Sequence, residues 1–249
     1  MIKISVITAV FNSRETISAA LDSVLGQSGA NVELVVIDGG STDGTLEILR
    51  SYADRLSVLV SEPDGGIYDA LNKGIQRSSG DVLGFLHSDD LFADAGVLSR
   101  IAAAFADPGV GAVYGDLLYV RKDNPDQAVR YWRSGAFSDR RLGWGWMPPH
   151  PTLYVRRDLY ERHGLFDTSF RIAADYDFVL RLLGKGRVGV HYLPEVLVKM
   201  RMGGVSNRSL RNLLRKSSED LKALKKNNVG GWGALIWKNL SKLPQFLSA

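Results

Sequence analysis

A chain of 249 residues, 45% of them hydrophobic, is long enough to bury a large α/β core. It contains no cysteine, which excludes disulfides and thiolate-held metals and leaves oxygen or histidine as metal ligands. The net charge of +4 is uneven: nine Lys or Arg against Glu219 and Asp220 put +7 on residues 207–249 and leave −3 for residues 1–206, and no basic stripe interleaved with exposed aromatics crosses the main domain, so no nucleic acid is expected.

Met1–Val10 reads as a strand, without the basic region, apolar stretch and cleavage site of a signal peptide. No window reaches the roughly 18 apolar residues of a spanning helix, so a cytoplasmic protein is expected. Strand-like runs at 3–10, 32–37, 57–61 and 82–86 alternate with helix-like segments near 15–27, 43–54, 66–78 and 94–106, the pattern of βαβ units. The expected fold is α/β, a Rossmann-like, mostly parallel sheet flanked by helices over residues 1–206. After Pro108 the pattern loosens, with strands at 111–120 and 152–156 around a loop rich in Gly, Trp and Pro, then a helix over 174–184 and a strand Val188–Val198.

Residues 207–249 form a basic helical tail with two amphipathic segments around Asn227-Asn-Val-Gly-Gly231. Leu210, Leu213, Leu214, Leu221 and Leu224 share one face of the first; Trp232, Leu235, Ile236, Leu240, Leu243 and Leu247 share one face of the second. Positive charge beside apolar faces and Trp predicts peripheral contact with an anionic membrane at its inner face, with packing on the main domain or dimerisation as the alternative.

Ligands of open α/β sheets bind at the carboxyl ends of strands, and two strand ends here carry carboxylates. Val32–Ile37 opens into Asp38-Gly-Gly-Ser-Thr-Asp-Gly-Thr45, and Val82–Leu86 into His87-Ser-Asp-Asp90. The first strand ends in Thr8-Ala-Val-Phe-Asn12, where Thr8, Ala9 and Phe11 offer backbone and an aromatic face to a base and Asn12 a hydrogen bond; a core aromatic and a helix cap is the plain alternative. In Glu62-Pro-Asp-Gly-Gly-Ile-Tyr-Asp69, Asp64 or Asp69 could reach a ribose or sugar hydroxyl, and Asn72 and Lys73 follow one turn later. Asp89 and Asp90, with water and the oxygens of a ligand, suit a hard octahedral cation such as Mg²⁺ or Mn²⁺; a solvated turn or helix cap is the plain alternative. Trp144 and Trp146, in Gly143-Trp-Gly-Trp-Met-Pro-Pro-His150, offer sugar-stacking faces, and Arg201 with Ser206 could contact phosphate.

These ordered motifs resemble a family-2 glycosyltransferase with the GT-A nucleotide-sugar fold, from Ile4 to about Asn207. The segment Ser61–Gly74 resembles the branch that builds bacterial O-antigen or exopolysaccharide. Ala9 departs from the family, where proline is common. The resemblance implies that Asp38 accepts from the imide N–H of uracil, that Ser88-Asp-Asp90 is the Asp-x-Asp metal motif with Asp90 as ligand and Asp89 toward the donor, and that His150 contacts diphosphate or acceptor. It also implies Asp175, in Ala173-Ala-Asp-Tyr-Asp177, as general base of a single inverting displacement; Ala174 replaces the usual Glu, and Asp177 stands as the alternative base. The implied partners are a nucleotide-sugar donor, a UDP-sugar first, and a lipid-linked or saccharide acceptor. A sugar-1-phosphate nucleotidyltransferase is the competing enzyme, but Thr8-Ala-Val-Phe-Asn-Ser13 lacks its glycine-rich phosphate loop. A non-catalytic sugar-nucleotide-binding scaffold is the competing non-enzyme.

Overall fold

The computed structural model describes residues 2–185, 188–203 and 210–240. The first half alternates β1 (Lys3–Val10), α1 (Ile17–Leu25), β2 (Asn31–Asp38), α2 (Thr45–Ser51), β3 (Val58–Ser61), α3 (Ile67–Arg77) and β4 (Val82–Phe85). A two-residue β5 (Leu91–Phe92), α4 (Val97–Ala104), β6 (Val110–Val120), β7 (Ala128–Trp132), α5 (Asp139–Gly143), β8 (Tyr154–Arg156) and α6 (Arg157–His163) follow. The chain continues through α7 (Ala174–Lys185), β9 (Gly189–Arg201), α8 (Leu210–Asn227) and α9 (Trp232–Leu240).

One curled sheet has the order β3-β2-β1-β4-β8-β6-β9-β5, with β7 beside β6. The β3-β2-β1-β4 half is wholly parallel, as the βαβ pattern predicts. The second half is mixed: β8 runs antiparallel to both β4 and β6, while β9 returns parallel to β6. Period-2 alternation splits the core across the sheet. Ile7, Val35 and Ile37 face the side covered by α3 and α7, and Ile4, Val6, Leu34 and Val36 face the side covered by α1 and α4. A Cβ on Gly74 would lie 2.3 Å from Ile7 Cγ2, so α3 sits directly on β1 only because that residue has no side chain.

Helices α8 and α9 join the same core. Ala223, Leu224, Ala234 and Leu235 belong to the cluster containing Tyr176, Val179 and Leu183 of α7. Lys238 of α9 and Asp220 of α8 form a buried ion pair at 2.9 Å. Glu219 of α8 accepts from the backbone N–H groups of Arg171 (3.1 Å), Ile172 (2.8 Å) and Ala173 (3.1 Å), placing a carboxylate at the amino-terminal end of α7, where the helix dipole favours it. The predicted apolar faces are partly realised: Leu224 and Leu235 are buried, but Leu214 is 73% exposed and Trp232 64%. Leu243 and Leu247 lie outside the described residues, as do the side chains of Leu210, Leu213, Ile236 and Leu240. No helix among the described residues is long and apolar enough to cross a membrane.

Candidate active site

Parallel register sets three strand ends side by side, with Val10 opposite Asp38 and Asp38 opposite Ser61. The carboxylate of Asp38 is fully buried, accepting from Ser41 Oγ at 2.5 Å and Ser61 Oγ at 2.6 Å. Asn12, in the left-handed region at φ 48°, accepts at Oδ1 from the Thr42 N–H, and its own N–H donates to Ser41 Oγ, both at 2.9 Å. The loops after β1 and β2 are thereby stitched into one wall of a crevice. Thr8 and Ala9 are buried behind this wall, while Phe11 stands 61% exposed at its rim. In the same turn Asp43 accepts from Thr45 N–H and Oγ and from Arg14 N–H, so this carboxylate is spent on bracing the turn that leads into α2.

The third loop is braced by its own charges. Asp64 accepts from Gly66 N–H, and its carboxylate lies so close to Gly39 that a Cβ there would meet Oδ2 at 2.5 Å. Asp69 accepts from Gly65 N–H, and Lys73 pairs with Glu62 at 2.8 Å and Asp69 at 3.6 Å. Asn72 spends its whole amide on the backbone of Phe166, donating to its oxygen (2.9 Å) and accepting from its N–H (3.0 Å). Lys73 and Asn72 therefore hold loops that line the crevice.

Opposite this wall stands the end of β4. Ser88 Oγ meets Ser13 Oγ at 2.8 Å, and β5 pairs with β9 so that Arg201 arrives beside the acidic turn. Arg201 N–H donates to Asp90 Oδ1 (3.2 Å) and its guanidinium Nη1 to the Asp89 carbonyl (2.9 Å). Asp90 is fully buried, and its Oδ2 has no partner among the described residues. Burial, with the negative charge of Asp89, pushes its carboxyl well above the usual range. His87 Nδ1 and His150 Nε2 are likewise buried without partners among the described residues, their rings 5.9 Å apart. Burial against Phe85 pulls His150 down to about 4, so the ring is neutral near pH 7. A buried carboxylate oxygen, two imidazole nitrogens and Arg201 Nε all lacking partners form an arrangement fit for an anionic ligand and its counter-cation.

The helix α7 completes the crevice. Asp175 is partly exposed, and its Oδ1 accepts from Tyr176 N–H (2.8 Å) and Tyr68 Oη (3.2 Å); Oδ2 accepts nothing from a described residue. Tyr68 also donates to the Ile172 carbonyl at 2.7 Å. Asp177 is fully buried, ion-paired to Arg181 (2.9 Å) and Lys226 (3.1 Å) and bonded to Asn227 (2.9 Å). Of the two carboxylates, only Asp175 retains an oxygen to offer a substrate.

Residues 5–171 match the family described as Glycosyl transferase family 2. The chain belongs to that family. It is 32% identical over 208 residues to the PGL/p-HBAD biosynthesis glycosyltransferase of Mycobacterium tuberculosis, covering 82% of this chain and 78% of the relative. Two solved structures share the fold at 21% identity each. They are the mannosyltransferase PcManGT of Pyrobaculum calidifontis in complex with GDP-Man and Mn²⁺ (TM-score 0.67, 97% of this chain and 70% of that one) and Staphylococcus aureus TarS 1–349 in complex with UDP (TM-score 0.66, 90% and 65%). Of a longer TarS chain this one spans 39%. The family-2 chain thus has the GT-A fold, a glycosyltransferase framework whose crevice lies at the strand ends described above.

The remaining residues fall in two places. His150 and Arg201 line the crevice; Trp144 and Trp146 line a separate cleft against α9, and Ser206 lies outside the described residues. Sequence reasoning passed over Tyr68 and His87. Both stood inside quoted motifs, and the pairing of Tyr68 with Asp175 spans 107 residues, beyond any local pattern. The donor set also fits a divalent cation in one particular way. No group of three or more metal-binding side chains occurs among the described residues, so a cation here would take one or two ligands from Asp90 Oδ2 and Asp89 and would need the rest from a bound ligand and water.

Proposed function

We propose that the protein is an inverting transferase that moves a sugar from a nucleotide donor, a UDP-sugar, to a hydroxyl of a lipid-linked or saccharide acceptor. The observation that carries this reading is Asp175: a partly exposed carboxylate, fixed at one oxygen by Tyr68 and open at the other, at the mouth of a crevice where His87 Nδ1, His150 Nε2 and Asp90 Oδ2 have no partner among the described residues. Asp175 accepts the acceptor's hydroxyl proton as the new glycosidic bond forms and the bond to the diphosphate breaks on the opposite face of the sugar, and no covalent intermediate is needed. Phe11, Asn12 and Asp38 address the nucleoside, with Thr8 and Ala9 beneath; Asp64 and Asp69 face its ribose and sugar, and neutral His87 and His150, with Arg201, donate to phosphate. A divalent cation, Mn²⁺ or Mg²⁺, would be held by Asp90 with Asp89 and neutralise charge on the departing diphosphate.

The setting is the assembly of a surface glycan at the cytoplasmic side of the membrane. The segment Ser61–Gly74 supports an O-antigen or exopolysaccharide pathway, and the curated relative's name a PGL/p-HBAD one. The +7 tail, with Leu214 and Trp232 exposed, supports peripheral contact with anionic lipid. Mass spectrometry of products from UDP-, GDP- and dTDP-sugars offered with lipid-diphosphate saccharides tests the reading. A new glycoside is expected, its anomeric configuration inverted when the product is read by NMR, and nucleotidyl transfer to a sugar phosphate would overturn it.

A further inference from the structure

Four of the chain's five tryptophans line one cleft of about 370 Å³, within the size of ligand sites. Trp132 ends β7, Trp144 and Trp146 follow α5, and Trp237 comes from α9. Arg133, Arg141 and Lys238 also line it, and no Asp or Glu does.

The back of the cleft is rigid. Trp146 packs edge-on against Tyr114 at 5.4 Å and donates from Nε1 to the Ser134 carbonyl at 2.9 Å. Arg141 donates to the same carbonyl and stacks on Trp146. Beneath them the buried Asp116 accepts from Tyr131 Oη, Tyr192 Oη and Ser134 N–H, tying β6, β7 and β9 together. The front is different: Trp144 and Trp237 are 45% and 50% exposed, yet they meet edge-to-face at 5.3 Å. Two indoles fixed by each other and turned to solvent leave apolar surface in water that a core would bury at about 25 cal/mol per Å².

The cleft adjoins the base helix. The Lys238 ammonium sits 3.2 Å from the ring centroid of Tyr176, the residue after Asp175. The cleft and Asp175 thus flank the same end of α7.

We infer that this cleft binds the acceptor, as a saccharide bearing phosphate, with sugar faces on Trp144 and Trp237 and the phosphate at Arg133. The inference rests on the transferase reading and adds to it a ligand class and a second wall supplied by α9. The C–H faces of a pyranose stack on indole, a guanidinium pairs with phosphate, and the lack of lining carboxylates favours an anion over a neutral glycan.

Tryptophan fluorescence of the full chain tests this by titration with an alkyl-diphosphate disaccharide, the same disaccharide without phosphate, phosphatidylglycerol vesicles and UDP. Saturable binding of the diphosphate disaccharide is expected, tighter than that of the neutral one. Trp237→Ala and Arg133→Ala should each weaken it about tenfold or more, Trp237→Phe should recover part of the loss, and UDP affinity should hold in every variant. Unchanged saccharide affinity in both alanine variants, or a response to vesicles with none to the diphosphate disaccharide, overturns the assignment. If UDP fails to bind the wild-type chain while the saccharide binds and Trp237→Ala abolishes it, the transferase reading falls and the cleft stands.

Discussion

Asp177→Ala separates the two carboxylates of α7 by a stability measurement. Breaking a buried ion pair costs about 3–5 kcal/mol when the abandoned charge has nowhere to go. Here the cost is smaller. Lys226 is 39% exposed and keeps Asp167 at 2.8 Å, and Arg181 keeps the carbonyls of Gly164 and Leu165. Asn227 loses one bond and keeps the Ala223 carbonyl. The expected loss is about 2–3 kcal/mol, which for a chain of this length lowers Tm by about 5–10 °C. Asp175→Asn, at a partly exposed residue whose Oδ1 contacts an amide oxygen can still accept, should cost less than about 1 kcal/mol. Urea denaturation of both variants beside wild type reads the difference. An Asp177→Ala protein of wild-type stability but without transferase activity would refute the assignment of Asp177 to structure and make it the base.

Two further outcomes follow from buried carboxylates. Asp90→Asn should be neutral or stabilising in chelator, because it removes a buried acid whose Oδ2 has no partner among the described residues, yet it should abolish the rise in Tm expected of the wild type with Mn²⁺ and UDP; Asp89→Ala should lose only part of that rise, and calorimetry with and without chelator checks both. Glu33 pays for burial, but bonds from Ser5, Ser79 and Lys3 more than offset it and hold its carboxyl down to about 2. Its folded value is below the unfolded one, so its contribution is complete above about pH 4.5 and lost as pH falls toward about 2. Glu33→Gln should flatten the acid limb of the stability profile over that window, and an unaltered limb would reject the role.

The first half of the fold was legible because its strands are short, β-branched apolar runs of four to eight residues bounded by turn residues, between longer segments of helical period. β5 has two residues and β7 reads Ala-Val-Arg-Tyr-Trp, with exposed Ala128 and Val129; neither carries the apolar run that marks a strand. The partition of roles within the acidic motifs was legible only in part. Asp43, Asp64 and Asp69 look alike in sequence, and only the fold reveals which backbone N–H groups each has taken. The tail was ambiguous for a physical reason: a basic helix with one apolar face suits a lipid surface and a protein surface equally until the partner is seen.

In the proposed reaction Asp175 takes the acceptor proton while the rest of the crevice holds the donor. Single-turnover transfer by Asp175→Asn, with UDP-sugar affinity measured on the same preparation, separates these roles. A rate lower by about 100-fold or more with donor affinity unchanged is expected. A wild-type rate, or a loss matched by equal weakening of donor binding, would contradict it.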